Sequence, residues 1–282
     1  MIAALFFMYL QLRQHWAGLV FHPEKTSFPQ FLFAVGLILI MLAGMFLGWH
    51  LALRSVGIII PLRVEFQIYF QTNILRYIPG SLWNFSGRAY YVKKYGISLT
   101  AFSQGEFLEL FFLIGMGFIF SFQGLSIHFQ SSLLSYGSAV IIVCMVLTIL
   151  FPEFILSIGG RLNLIINRIS RRYLILLVIN YFLIWILYGT AIEMLLGSLY
   201  GVSFSLWQVV CYNALSWSTG FLSLAPAGFG VREYSLSTLF GQKYGAQVII
   251  ASLFERSIEL LGDFVLWVLA KLPNSYVSSK IE

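Results

Sequence analysis

Long apolar runs occupy most of the chain and are separated by short polar connections. Five of these runs have about 20 residues or more, the length that a helix needs to cross the hydrocarbon core of a membrane. They are residues 30–53, 97–122, 133–151, 173–199 and 246–271. The pattern predicts an all-α, polytopic membrane protein.

Two further apolar stretches, residues 64–95 and 205–245, are interrupted by proline and glycine. Proline removes a backbone donor and glycine relaxes the backbone, so each interruption ends a helix at membrane depth. A bilayer tolerates such a break only where it is buried in protein or faces a wet cavity. We therefore predict two re-entrant hairpins built from broken helices. Their structural breaks are Pro79, Gly80, Pro226, Gly228 and Gly230.

The first apolar run, residues 1–12, would rise only about 18 Å as a helix, which is too short to cross a membrane. The run has no basic residues at its start, and no small-residue cleavage pattern follows it. We therefore expect no cleaved signal peptide at this end of the chain.

The positions of lysine and arginine predict the orientation of the spans. Residues 54–63 contain two arginines and residues 152–172 contain four, which is typical of cytoplasmic connections. Residues 123–132 and 200–206 contain no lysine or arginine and should lie outside. The C-terminal tail carries two lysines and is expected in the cytoplasm. These assignments agree only if each hairpin returns to the side from which it entered.

The two hairpins are followed by similar sequences. In both, a Lys-Tyr-Gly triplet precedes a glutamate by ten positions, from Gly96 to Glu106 and from Gly245 to Glu255. Each half then has three crossings, an odd number, so the second half enters the membrane inverted. We expect one transmembrane domain over residues 1–282, with a first repeat at about 1–122 and a second at about 133–272. Inverted-topology repeats are typical of secondary transporters.

Charged residues within these segments are the candidate site. A charge at the centre of a membrane helix costs about 2.5 to 3.5 kcal/mol, so it must be paired inside the protein or line a polar cavity. Four arginines and several acids around two half-helix ends would suit an anion such as phosphate, whereas structural salt bridges are the alternative. The candidate substrate-binding residues are Arg76, Arg88, Glu106, Glu109, Arg232, Glu233, Glu255, Glu259 and Asp263.

Composition narrows the function further. The 282 residues are 59% hydrophobic and 10% charged, against about 45–50% and 25% in soluble domains, which leaves no separate water-soluble catalytic domain. The net charge of +6 is spread along the chain, so we expect no nucleic-acid partner. The two cysteines and four histidines have no metal-ligand spacing, and no Gly-x-x-x-x-Gly-Lys loop is present. We expect no metal, no cofactor and no catalytic residue.

The two interrupted stretches resemble the signature motifs of a known family. Residues 77–80 with Gly87-Arg88, and residues 225–233 with residues 254–256, are similar to those of the lysylphosphatidylglycerol synthase transmembrane, or flippase-like, family. The resemblance covers almost the whole chain, and these 282 residues contain no synthase domain. It implies movement of a lipid with a charged head group, either an aminoacyl-phospholipid or a polyprenyl-phosphate-linked lipid, between the leaflets of a bacterial or archaeal cytoplasmic membrane.

We therefore expect a lipid flippase or transporter rather than an enzyme, with a membrane lipid as its partner and the bilayer as its medium. A homo-oligomer or an envelope-biogenesis partner is compatible with the sequence. One alternative is a membrane-embedded glycosyl or phosphoryl transferase acting on a polyprenyl carrier, although Asp263 is the only aspartate in the chain. Another is a non-transporting subunit that docks a soluble enzyme through residues 161–172.

Overall fold

The structure is a computed structural model that describes residues 13, 27–77, 83–152, 169–223, 225 and 228–272. The described part is helical and contains no strand. Its helices are α1 (Phe28–Ser55), α2 (Leu62–Asn73), a 3-10 turn (Ile74–Tyr77), α3 (Trp83–Lys94), α4 (Leu99–Phe129), α5 (Ser132–Leu150), α6 (Arg171–Tyr200), α7 (Leu206–Leu222) and α8 (Val231–Ala270).

Several predictions fall on positions beyond the described residues. They concern the first apolar run, the three hairpin breaks Pro79, Gly80 and Pro226, and most of the basic connection at residues 152–172. The other two predicted breaks, Gly228 and Gly230, are described and adopt positive φ angles of 70° and 83°. A residue with a side chain rarely adopts this backbone conformation, so glycine allows the turn that leads into α8.

Four helices, α1, α4, α5 and α6, are long and apolar enough to cross a membrane. They coincide with four of the five predicted spans. The chain is therefore a membrane protein, and the prediction of an all-α, multi-pass architecture is confirmed to that extent.

The fifth predicted span, residues 246–271, lies in α8, a 40-residue helix interrupted at Gly241 with φ 74° and ψ 173°. Helix α8 differs from the four apolar helices in composition, because it has four charged residues between positions 255 and 263. Their burial shows that α8 directs charge into the protein. The sequence signal at Pro226 did not predict the interruption at Gly241, and Gly245 of the repeated triplet lies within the helix.

The connection predicted at residues 123–132 is shorter in the structure. Helix α4 continues to Phe129, and only Gln130 and Ser131 link it to α5, with Gln130 in the left-handed conformation. Gln123, at the start of the predicted connection, lies within the helix, and its Nε2 donates to Ser138 Oγ of α5 over 2.8 Å. Its polarity therefore does not mark a loop.

The packing centres on α1 and α6, which form the most extensive helix pair. Gly44 and Gly48 of α1 face Ile184 and Tyr181 of α6, as their small-xxx-small spacing indicates. Asn180 Nδ2 donates to the backbone carbonyl of Gly44 over 3.0 Å. Around this pair, α4 packs against α1, α6 and α7, while α8 packs against α6, α1 and α2. The hairpin helices α2 and α3 contact each other, as do α7 and α8.

Helix α6 approaches α7 so closely at Gly189 that a Cβ there would lie 2.5 Å from Val210 Cα. Because the obstacle is backbone, we expect Gly189→Ala to destabilise the protein by roughly 1–3 kcal/mol. The matched control is Gly36→Ala in α1, where the added Cβ meets nothing within 4 Å. The control should be neutral or stabilising by roughly 0.5–1 kcal/mol, since alanine favours a helix. Thermal unfolding of the purified variants in detergent measures both, and equal melting temperatures would contradict the close contact.

Candidate functional site

A cavity of about 190 Å³ lies between the two predicted hairpins and the central helices. It is lined by residues of α1, α2, α3, α4, α6, α7 and α8 and of the 3-10 turn, so both halves of the chain form its wall. Its charged lining residues are Arg76, Arg88, Glu109, Arg232, Arg256 and Glu259. The structure thus brings four arginines from positions far apart in the sequence to one internal space.

The first ionic cluster consists of Arg88, Glu106 and Glu109. Arg88 Nη1 lies 2.9 Å from Glu109 Oε2 and 3.3 Å from Glu106 Oε2. Glu106 also accepts a hydrogen bond of 2.6 Å from Trp49 Nε1. The guanidinium lies over the ring of Tyr69, 4.4 Å from its centroid. All three charged residues are buried, which only mutual pairing makes tolerable at membrane depth.

The second ionic cluster is larger and joins the 3-10 turn to α8. It consists of Arg76, Arg232, Arg256, Glu233, Glu255, Glu259 and Asp263. Arg76 Nη2 lies 2.7 Å from Glu259 Oε1 and 2.5 Å from Asp263 Oδ2. Asp263 also accepts hydrogen bonds of 2.9 Å each from Asn73 and Tyr77. The periodicity of α8 places Glu259 and Asp263 on one face, as the i, i+4 spacing predicts.

Two arginines of this cluster lie at the start and middle of α8. Arg256 Nη1 donates to Glu233 Oε1 over 2.8 Å, and Glu233 Oε2 accepts from the backbone N–H of Gly230 over 2.7 Å. Glu233 therefore satisfies an otherwise unpaired amide at the beginning of the helix. Arg232 Nη2 donates to the Tyr188 hydroxyl over 2.5 Å and lies 3.9 Å from its carboxylate partner, Glu255.

Two glycines allow close packing next to the arginines. A Cβ on Gly87 would lie 3.0 Å from Thr72 Cγ2, so this glycine lets α3 pack closely against α2. A Cβ on Gly220 of α7 would lie 2.5 Å from Arg232 Cγ. The aliphatic stem of Arg232 thus occupies the space that a larger residue at position 220 would fill.

Polar atoms in the cavity wall lack hydrogen-bond partners. Arg88 Nε, Arg232 Nε and Asn84 Oδ1 are buried, belong to residues that line the cavity, and make no hydrogen bond to any residue that the structure describes. A buried donor or acceptor without a partner costs about 1–3 kcal/mol, so such atoms mark a place where a ligand or water completes the bonding. The donors would suit an anion, because a guanidinium binds phosphate or carboxylate through several N–H groups.

The cavity lining also contains many apolar residues. They are Met41, Met45, Leu110, Leu113, Ile114 and Ile184, together with the aromatic residues Trp185, Trp217 and Phe221. The cavity thus offers both charged and hydrophobic contacts, which an amphiphilic ligand needs.

The nine predicted site residues divide into two groups. Five line the cavity, namely Arg76, Arg88, Glu109, Arg232 and Glu259. The other four lie outside the lining and bond or pair with lining arginines, namely Glu106, Glu233, Glu255 and Asp263. Both the salt-bridge interpretation and the cavity interpretation therefore describe part of the arrangement.

Sequence reasoning missed several cavity residues. Arg256 is not among the nine predicted residues, yet it lines the cavity and pairs with Glu233. Tyr69 and Asn73 also line it. Their spacing of four residues places them on the face of α2 that ends at Arg76, so helical periodicity was the signal that could have found them. Tyr188 of α6 had no such signal, because it stands in an otherwise apolar span.

A separate ionic group lies at the end of α1. Glu65 of α2 is fully buried and contacts His50 Nδ1 over 2.5 Å and Arg54 Nη2 over 3.4 Å. None of these three residues lines the cavity. In the part of the chain that the structure describes, no group of three or more His, Cys, Asp or Glu residues is arranged to hold a metal ion.

Comparison with known proteins adds no assignment. No protein-family model matches the chain, and no curated protein is significantly similar to it in sequence. The resemblance of the hairpin motifs to the flippase-like family therefore stays a prediction from the residues.

The first ionic cluster gives a direct test of buried pairing. Arg88→Met leaves Glu106 and Glu109 without a guanidinium, and we expect a loss of about 3–5 kcal/mol in stability. Lys94→Met is the matched control, since Lys94 is an exposed cation on the same helix and should change stability little. Melting temperatures in detergent measure both variants. Adding Glu106→Gln and Glu109→Gln to Arg88→Met should recover part of the loss, and no recovery would show that the carboxylates are not the cause.

Proposed function

We propose that this protein is a membrane lipid transporter that moves a lipid with a phosphate-containing, charged head group between leaflets. The observation that carries the proposal is the cavity lined both by arginines from the two halves of the chain and by apolar residues. A phosphate-bearing head group would bind the arginines. The acyl or prenyl chains would extend from the cavity into the bilayer.

Arg88 and Arg232 are the proposed phosphate-binding residues. Each lines the cavity and has a buried Nε with no hydrogen-bond partner. The nearest carboxylate oxygen to Arg232 Nη2 is 3.9 Å away, beyond hydrogen-bond distance, so this guanidinium is the less completely paired of the two. A phosphate group would supply the missing acceptors. Asn84 Oδ1 would accept from a hydroxyl or ammonium group of the same head group.

The volume of the cavity is consistent with binding of the head group alone. Pockets that enclose a whole drug-sized ligand are about 300–1,000 Å³, whereas this cavity is about 190 Å³. It can hold a head group but not a whole lipid. A transporter that encloses only the head group leaves the hydrocarbon chains in the bilayer, so no free energy is needed to transfer them out of lipid.

We further propose that the two halves form an inverted repeat with two re-entrant hairpins. In this arrangement α1 corresponds to α6, α2 to α7, and α4 to the C-terminal part of α8. Helix α4 packs against α1, α6 and α7, and also against α5 and α3, while α8 packs against α6, α1 and α2, and also against α7. Exchanging the matched helices converts the first three neighbours of α4 into the first three neighbours of α8. This partial correspondence supports the repeat, and such repeats let a central site open to either side of a membrane.

Transport of fluorescent lipids in reconstituted vesicles tests the function. Tail-labelled lysylphosphatidylglycerol and tail-labelled polyprenyl phosphate are the two probes, and protein-free vesicles give the background rate. We expect Arg232→Gln to lower the rate about tenfold or more, because a hydrogen bond to a charged group contributes about 1.5–3 kcal/mol. Arg232→Lys should be intermediate, since it keeps the charge but loses the fork of donors.

The matched control is Lys243→Gln, which removes an exposed cation from the same helix and should transport at the wild-type rate. The proposal fails if the wild-type protein moves neither probe faster than protein-free vesicles. The assignment of Arg232 fails if its glutamine variant transports normally.

The two re-entrant hairpins predict which positions a membrane-impermeant maleimide reaches from outside the cell. Single cysteines are introduced after Cys144→Ser and Cys211→Ala remove the native thiols. Ser203→Cys and Gln242→Cys flank the second hairpin and should be labelled in intact cells. Ile59→Cys and Lys94→Cys flank the first and should be labelled only after permeabilisation. If either hairpin crossed the membrane, its two flanking positions would instead be labelled from opposite sides.

A further inference from the structure

Glu255 is the least satisfied ionisable group in the interior of the protein as described. Its side chain is completely buried, and its carboxylate oxygens make no hydrogen bond of normal geometry to any described residue, although the Tyr188 hydroxyl lies close enough to interact with them. Among the described residues its only ion-pair partner is Arg232, with Oε2 3.9 Å from Nη2. A buried carboxylate that is so incompletely bonded is costly, so Glu255 is positioned to exchange its charge for a proton.

The groups around Glu255 come from three elements. Arg232, Arg256 and Glu259 lie on its own helix, Tyr188 faces it from α6, and Arg76 of the 3-10 turn pairs with Glu259. The ionisable residues of the other neighbouring helices contact groups other than Glu255. His50 and Arg54 of α1 contact Glu65 of α2, Tyr69 of α2 lies under Arg88, and Tyr212 of α7 packs against Phe240. Arg232 is therefore the cation that decides the charge of Glu255.

The charges of the two ionic clusters do not balance. The ion pairs of the first cluster join one guanidinium to two carboxylates, and those of the second join three guanidinium groups to four carboxylates. Each cluster thus has one carboxyl group in excess. A lipid phosphate entering the cavity brings a further negative charge. In a low-dielectric interior this addition requires a compensating proton.

We propose that Glu255 binds this proton and thereby couples lipid transport to proton movement; this inference rests on the proposed transport function. When a phosphate binds Arg232, the guanidinium turns from the carboxylate of Glu255 to the phosphate oxygens. Glu255, left without a counter-ion beside a new anion, takes up one proton from the side on which the cavity is open. The Tyr188 hydroxyl, which lines the cavity and contacts Arg232, lies on the proton's route.

On the opposite side of the membrane the sequence of events reverses. The phosphate leaves Arg232, the guanidinium returns to Glu255, and the carboxyl group releases its proton. One phosphate head group and one proton have then crossed in the same direction. No bond other than the O–H bond of Glu255 forms or breaks.

Vesicles carrying a pH gradient test the coupling. Wild-type protein is reconstituted with the labelled polyprenyl phosphate, whose head group has no ammonium group to balance its charge, and valinomycin with equal potassium on both sides holds the membrane potential at zero. The leaflet distribution of the probe is then measured with a membrane-impermeant quencher. With one proton per lipid, a gradient of about one pH unit should enrich the probe up to about tenfold in the leaflet on the alkaline side. Protein-free vesicles correct for passive redistribution.

Glu255→Gln resembles the protonated carboxyl and cannot exchange a proton. We expect this variant to distribute the probe evenly between leaflets under the same gradient, whatever its overall rate. The matched control is Glu193→Gln, on α6, where the carboxylate accepts from Ser203 and belongs to neither cluster. It should show the wild-type enrichment. Glu255→Asp keeps a titratable group and should retain the response to the gradient.

Proton uptake by the purified protein gives a second measurement that does not depend on transport. Binding of the polyprenyl phosphate probe to wild-type protein in weakly buffered detergent should be accompanied by uptake of about one proton per bound lipid, and binding to Glu255→Gln by uptake of none. The inference is wrong if wild-type protein transports polyprenyl phosphate without responding to the gradient, or if the glutamine variant keeps the response. In both cases the transport proposal stands. If neither probe moves in any condition, the transport proposal fails and the coupling with it.

Discussion

Burial of charge in a low-dielectric interior is the constraint on which the rest of this structure depends. An uncompensated charge at membrane depth costs several kcal/mol, and the described helices direct ten arginine and carboxylate groups inward. Every one of them has an oppositely charged neighbour within 4 Å. The close approach of the helices brings these partners together, as where Arg232 lies against Gly220.

Pairing alone does not explain the arrangement. If the charges were purely structural, their donors and acceptors would be fully satisfied, because an incompletely bonded buried polar group weakens the fold. Arg88, Arg232, Asn84 and Glu255 keep unsatisfied atoms around a cavity that reaches across both halves of the chain. Stability is thus given up at the place where a ligand would restore the missing bonds, as is common at functional sites.

Much of this could be read from the chain before any coordinates. Apolar runs of membrane length predicted the helices, because a hydrocarbon core admits little else. The cost of burying charge identified nine site residues, five of which line the cavity. Glu255, Glu259 and Asp263 share a helix face because a period of 3.6 residues requires it. These inferences depend on local spacing and on the solvent, so they need no knowledge of the fold.

Other features depended on contacts between distant segments. Arg256 and Glu233 are 23 positions apart, and Arg76 and Glu259 are 183 apart, so only the packing of the 3-10 turn and α8 could reveal the partners. Gln123, near the C-terminal end of α4, has its hydrogen-bond partner, Ser138, on a neighbouring helix 15 positions away. Gly220 looks ordinary in sequence and matters only because Arg232 passes over it. The sequence determines which charged and polar side chains need a partner. Only the tertiary structure decides which partner each side chain receives, because pairing depends on distance in space and not on distance along the chain.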